Sequence, residues 1–286
     1  MVCKFCRISF HVNIVGAYQI RPFKFCIGNK MNNKTSVYDK ENFFALYQKL
    51  RSNPISLNEI VEKPTMLSLL PDLQGKKLLD LGCGTGGHLQ LYLERNAASV
   101  VGTDLSAKML EQAEQDLQKC GQFSGRFSLY QLPMEKLTEL PESDFDVIIS
   151  SFAFHYIEDF SALLAMIANK LKPNGTLVFS QEHPITTCHK EGERWEKNEQ
   201  KQQVAYRLNH YRDEGLRERN WFQQPFKTYH RTTATIINDL IAAGFQIEQM
   251  AEPMLAEQPQ WHDEFKDLRH RPPLLFIKAR KVNLTK

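Results

Sequence analysis

Apolar positions recur along this chain with two alternating periods. Short apolar runs bounded by polar or glycine residues predict buried strands over 77–81, 100–103, 127–131, 145–150 and 176–180. Between them, helical spacing predicts helices over 86–95 and from Ser106 onward, where Met109, Leu110, Ala113 and Leu117 share a face. Phe160, Leu163, Leu164, Ile167 and Leu171 make another such face, which Pro173 and Gly175 stop. An amphipathic helix over 41–50 carries Phe43, Phe44, Tyr47 and Leu50, and Pro64 opens a short one to residue 70. A helix over 232–243 ends at Gly244, and strands over 245–250 and 274–279 follow with no long helix between them. Alternating strands and helices predict an α/β, doubly wound Rossmann-like sheet, mostly parallel. The last two strands suit antiparallel pairing at its edge.

The segment 185–228 is surplus to that pattern. Sixteen of its 44 residues are charged, yet Trp195, Tyr206, Tyr211, Trp221 and Phe222 are interleaved. So long a connection inside a domain suits a cap over a cleft, with a strand pair expected around 204–211.

Composition changes this picture little. The chain has 286 residues, 42% hydrophobic and 24% charged, as in ordinary globular proteins. No apolar run is long enough to span a bilayer, and a net charge of +3 carries no nucleic-acid footprint. Six cysteines form no dense disulfide framework, so a cytoplasmic setting is expected. Charge is uneven, however. Residues 1–30 hold five Lys or Arg and no acid, with Cys3, Cys6 and Cys26, and the remainder carries 31 basic against 33 acidic residues. A transit sequence fits poorly, because Gly16 and Pro22 break an amphipathic helix. With His11 between the cysteines there is no second spaced ligand pair, so no metal site is expected. Residues 1–30 are expected to be a leader outside the fold, and residues 31–286 the domain.

Candidate chemistry concentrates at the first strand's end. In LLDLGCGTGG, Gly82, Gly84 and Gly86 allow a sharp turn and close approach of a ligand, at the N-terminus of the next helix. Asp104 ends the second strand, 20 residues after Gly84, where a carboxylate can accept both hydroxyls of a ribose. These two pieces also satisfy a dinucleotide-binding pattern. Asp80 argues against that reading, since a carboxylate two residues before the first glycine would repel a pyrophosphate and suits a cationic group.

With LPMEKL (132–137), FDVIISS (145–151) and LKPNGTLVFS (171–180), the chain resembles the class I S-adenosylmethionine (SAM)-dependent methyltransferases, small-molecule type. Asn174 stands where the family usually has glycine, and asparagine tolerates the turn. The resemblance implies a seven-stranded sheet with an antiparallel edge strand. It also implies SAM as methyl donor, S-adenosylhomocysteine (SAH) as product, and in-line transfer to a small-molecule acceptor. It implies cofactor contacts from Asp80, Gly82, Cys83, Gly84, Asp104, Leu105, Pro133, Met134, Glu135 and Ser151. Strand ends facing the donor would supply any general base, making His155, His183 and His230 the catalytic candidates. Glu182, Tyr229, Arg231 and Trp221 are the expected acceptor contacts. The amino-group DNA methylation signature is absent after the fourth strand, which favours a small acceptor over nucleic acid. Two alternatives remain open: a non-methylating enzyme on the same fold, such as one transferring a carboxyl group to SAM, and a SAM-binding regulator. Neither the acceptor nor the oligomeric state is readable from the sequence.

Overall fold

The computed structural model describes residues 36–221, 224–255 and 265–282. Residues 1–30 lie outside the described residues, and so does the side chain of Trp221. The first strands are β1 (Lys77–Leu81), β2 (Ser99–Asp104), β3 (Phe127–Gln131), β4 (Phe145–Ser150) and β5 (Leu171–Glu182). Two hairpins follow, β6 (Trp195–Lys197) with β7 (Gln203–Tyr206) and β8 (Gly215–Trp221) with β9 (Gln224–His230). The last two strands are β10 (Phe245–Ala251) and β11 (Leu274–Lys281).

Seven of these strands form one sheet in the order β10-β11-β5-β4-β1-β2-β3. Strands β1 to β5 pair in parallel, while β11 runs antiparallel to both β5 and β10. The antiparallel strand is therefore one in from the edge that β10 closes. The order reverses between β1 and β4, and in open α/β sheets ligands bind outside the carboxyl ends of the strands at such a point.

The helices are α1 (Glu41–Arg51), α2 (Lys63–Leu69), α3 (Gly87–Glu94), α4 (Ala107–Lys119), α5 (Phe160–Lys170), the single turn α6 (Pro184–Thr187) and α7 (Thr233–Ala242). Ser106, Asp159 and Thr232 cap α4, α5 and α7, each side chain accepting a backbone N–H three residues on. Alternation along each strand feeds two cores. Leu79, Leu81, Ile148 and Phe179 pack with α5 and α7. Leu78, Val100, Val147 and Phe276 pack with α2, α3 and α4. On α5, Phe160, Leu163, Leu164 and Ile167 are fully buried, at about 1.5–3 kcal/mol each.

Two expectations need correction. The second N-terminal helix does not start at Pro64, because a π turn over Asn58–Glu62 leads directly into α2. The insertion holds two hairpins rather than one strand pair around 204–211. The second of them extends to His230, so Tyr229 and His230 lie in a strand.

Candidate active site

The carboxyl ends of β1, β2 and β4 open into a cavity of about 1960 Å³. The loop after β1 turns through left-handed angles at Gly82, Gly84 and Gly86 (φ 75°, 54° and 78°). A Cβ at Gly82 would meet Met134 Cε at 2.8 Å, so the loop and the segment after β3 touch there. At Gly84 a Cβ would find only the Tyr47 hydroxyl, 4.0 Å away, and would project into the cavity. The loop therefore leaves its backbone open to close approach from the cavity.

Asp104 lies beside the loop with its carboxylate already oriented. Oδ2 accepts the Gly84 N–H (2.9 Å) and Oδ1 the Ser106 N–H (2.8 Å). Each oxygen keeps a further lone pair, as a vicinal diol requires. Burial pushes this carboxyl above its ordinary value, against those hydrogen bonds. Asp80 is fully buried in β1, and neither of its oxygens has a partner among the described residues. Burial, then the nearby charges of Glu62 and Asp104, push its carboxyl up to about 8. An unpaired buried carboxylate is costly, so this position fits a cationic ligand group.

Asp80, Gly82, Cys83, Gly84, Asp104, Leu105, Pro133, Met134, Glu135 and Ser151 all line this one cavity. A family description as a methyltransferase domain matches residues 79–179, from β1 through β5. The chain is 31% identical to the crystal structure of an S-adenosylmethionine-dependent methyltransferase from Mesorhizobium loti. That match has a TM-score of 0.68 and covers 79% of this chain and 100% of the other. The chain belongs to the SAM-dependent methyltransferases. It is also 84% identical to an uncharacterised Haemophilus influenzae protein over 252 residues, 88% of this chain and 99% of that one. Similarity to the ubiquinone biosynthesis O-methyltransferase of Neisseria meningitidis is 32% over 109 residues, 38% of this chain and 45% of that relative. The methyltransferase thus shares less than half of that relative's length.

The residues expected to do chemistry lie elsewhere. His155 is 1% exposed in the turn after β4, its Nδ1 facing the Glu182 N–H at 3.4 Å, and burial pulls it down to about 4. Its neighbours Phe152, Ala153 and Tyr156 line the cavity instead. His183 caps α6: Nδ1 accepts the Ile185 N–H (3.1 Å) and Nε2 bonds Glu252 (2.7 Å). His230 is fully buried on β9, with Nε2 donating to the Tyr211 carbonyl (2.8 Å) and Nδ1 bonded to the Thr187 hydroxyl (2.7 Å). Burial lowers His183 and His230 as well. None of the three is among the residues that line the cavity, and the contacts just given hold each of them in the fold.

Glu182, Tyr229 and Arg231, the expected acceptor contacts, are also not among the lining residues. Glu182 receives the Arg219 guanidinium on both oxygens (3.0 and 2.9 Å). Tyr229 donates to Glu158 (3.1 Å). Arg231 bonds the Ile157 and Glu158 carbonyls and lies 5.0 Å over the Phe160 ring. These three brace the cap and the 156–159 loop from behind.

The cavity wall beyond the glycine loop comes from segments the motifs did not mark. Tyr38, Tyr47 and Arg51 reach in from the N-terminal segment, and Tyr156 from the turn after β4. Arg219 and Phe226 arrive on the second hairpin. Tyr38 stands edge-on to Phe43 and Tyr47 (ring centroids 5.2 and 5.3 Å), with its hydroxyl 3.4 Å from that of Tyr156. The N-terminal segment is pinned by Asp39, whose Oδ1 accepts the Ser106 hydroxyl (2.6 Å), and by Lys40 Nζ on Gln224 (2.7 Å). The aromatic content of 36–51 was the one available signal, and helical periodicity had absorbed it.

Proposed function

We propose that this chain transfers the methyl group of SAM to a small-molecule acceptor held between the N-terminal segment and the second hairpin. The observation that carries this reading is a single cavity with two differently built ends. Ten residues at the glycine-loop end fit the cofactor, and tyrosines, Phe226 and Arg219 surround the space beyond.

Asp104 would hold the ribose and Asp80 the cationic end of the amino-acid moiety, with Met134 and Leu105 against the adenine. The bound sulfonium supplies an activated methyl group, so the protein's contribution is orientation and exclusion of water. The cap hairpin and residues 36–51 close the cavity to that end. Burial raises the phenols of Tyr38, Tyr47 and Tyr156, which therefore orient an acceptor by hydrogen bonding and do not take its proton at neutral pH.

Calorimetry with SAM, SAH and NADH tests the cofactor half, with the two adenosyl ligands expected to bind and NADH not. Transfer from methyl-labelled SAM to fractionated small metabolites, compared with transfer to RNA and protein, tests the acceptor class. Label appearing only in macromolecules would overturn the small-molecule reading.

A further inference from the structure

The end of the cavity beyond the glycine loop holds a cluster rich in hydrogen-bond donors. Tyr38 and Tyr156 bring their hydroxyls within 3.4 Å, and the Tyr156 ring meets Phe226 edge to face (centroids 6.3 Å). Phe226 and Arg219 face each other across the second hairpin, and all four residues line the cavity. Arg219 is fixed from behind. Its Nη1 donates to both oxygens of Glu182 (3.0 and 2.9 Å), and Nη2 to the Thr186 carbonyl (3.0 Å). The side chain is 11% exposed, and Nε is buried with no hydrogen-bond partner among the described residues. A guanidinium N–H left unpaired in a buried place is costly, and an oxygen brought to it gains a charge-assisted bond.

Groups able to take a proton from an acceptor are engaged or placed elsewhere. Burial raises the phenols of Tyr38, Tyr47 and Tyr156, so they stay protonated at neutral pH. Glu182 is taken by Arg219, Glu158 by the Tyr229 hydroxyl (3.1 Å), Asp39 by the Ser106 hydroxyl, and Asp159 caps α5. Glu139 pairs with Lys136 (3.6 Å), while Glu135 and Glu218 are exposed, and an exposed carboxylate is a poor base for a hydroxyl. Asp80 in β1 and His88 in α3 belong to the glycine-loop end. The acceptor must therefore bring its nucleophile already deprotonated. Charge agrees with this. Glu182 offsets Arg219, so the sulfonium of bound SAM leaves one positive charge facing the acceptor, which a single anionic group balances. A phosphate would bring nearly two charges. A carboxylate brings one, with one oxygen to be held and a second to react.

We propose that the acceptor is a small carboxylic acid, methylated on its carboxylate, and that Arg219 is the residue that recognises it. This rests on the methyl-transfer reading above and names the class of acceptor within it. One carboxylate oxygen accepts from Arg219 Nε, and the other attacks the methyl carbon of SAM. A C–O bond forms and the C–S bond breaks with its electron pair going to sulfur, giving a methyl ester and neutral SAH. The acid is already ionised at neutral pH, so no base acts and no proton is released.

The test uses the full chain, methyl-labelled SAM and fractionated small metabolites, followed by mild alkali on the isolated labelled product. A methyl ester hydrolyses and gives up its label as volatile methanol, whereas methyl ethers, methylamines and carbon-bound methyl groups do not. Release of nearly all the small-molecule label is expected, and label that resists alkali overturns the proposal. Transfer in the active fraction should also leave a weakly buffered solution at constant pH; steady acidification, one proton for each methyl moved, would overturn it too. Arg219→Gln should raise the apparent KM for the acceptor, read from dilutions of that fraction, by ~10–100-fold for one charge-assisted hydrogen bond, with SAH affinity by calorimetry within about twofold. An unchanged KM, or an equal loss of SAH affinity, would remove Arg219 from recognition and overturn its assignment. Should that variant not fold, the alkali and proton measurements on the wild-type chain decide. Absence of label from every small molecule, or failure to bind SAH, would instead sink the methyl-transfer reading itself.

Discussion

The two ends of the cavity differ in how they are built. The glycine-loop end, where we propose that the cofactor sits, is a property of the parallel sheet: β1, its glycine loop and the acid ending β2 are contiguous or 20 residues apart, and backbone geometry sets most of the shape. The other end, where we propose that the acceptor sits, is assembled from pieces far apart in sequence. Tyr38 meets Tyr156 across 118 residues, and Lys40 meets Gln224 across 184. Backbone geometry constrains the first end, whereas the second depends on side chains and on two added segments. Substitutions at the first end should therefore act on the cofactor, and those at the second on stability or the acceptor.

The sharpest way to break this division is Asp104→Ala. Removing two hydrogen bonds from a charged acceptor should cost on the order of 2–4 kcal/mol of SAM or SAH binding, read by calorimetry. Unchanged binding would mean that the acid ending β2 does not hold the ribose.

Next comes an effect of pH at the boundary between the two ends. Burial holds His155 at about 4, below its ordinary 6.5. Folding therefore disfavours its protonation: its contribution is fully present above about pH 6.5 and is lost as pH falls toward 4. A shift of this size corresponds to on the order of 3 kcal/mol. Asp80 has the opposite sign, since its raised pKa favours the folded state at low pH and costs stability as pH rises toward 8. The two slopes overlap, so the informative quantity is a difference. His155→Gln should flatten the loss of stability between pH 6.5 and 4 relative to wild type, measured by urea unfolding. Parallel wild-type and variant profiles would show that His155 is not held neutral.

His230→Ala separates a structural histidine from a general base. It leaves the Thr187 hydroxyl and the Tyr211 carbonyl without their buried partner, which should cost about 1–3 kcal/mol of stability. SAH affinity should be unchanged, and the folded variant should keep turnover within about tenfold. A fall of ~10²–10⁴ would restore it as the base.

The same contrast explains what could be read in the sequence. Apolar periodicity marked β1 to β4 closely, because each is a buried strand between polar breaks. Glycines and acids at fixed spacing marked residues that come together at one end of the cavity, since the geometry they serve is local. His183 and His230 looked functional because each follows or precedes an element at the ligand side of the sheet. Their side chains are claimed instead by the cap of α6 and by Thr187, contacts across the fold that no spacing encodes. Arg219 was missed for the converse reason. A charged residue in a mixed segment reads as solvated, and only tertiary packing aims Arg219 at Glu182.

The smallest expected effects test how the roof over the acceptor end is fastened. Lys40 donates to Gln224 in an exposed contact, and such surface interactions rarely exceed about 0.5 kcal/mol. Asp39 is more deeply engaged, since its Oδ1 takes the hydroxyl of Ser106, the residue that caps α4. Lys40→Ala should therefore leave the unfolding free energy within about 0.5 kcal/mol of wild type. Asp39→Ala should cost about 1 kcal/mol, an ordinary hydrogen bond with a charged acceptor at partial burial. Proteolysis of the N-terminal segment supplies a second readout, because local opening follows the contacts that hold a segment down. Cleavage within 36–51 should accelerate in Asp39→Ala and barely change in Lys40→Ala. If Lys40→Ala accelerates cleavage as much, the roof is fastened at the hairpin rather than at α4, and the acceptor end opens from its outer rim instead of from the cofactor side.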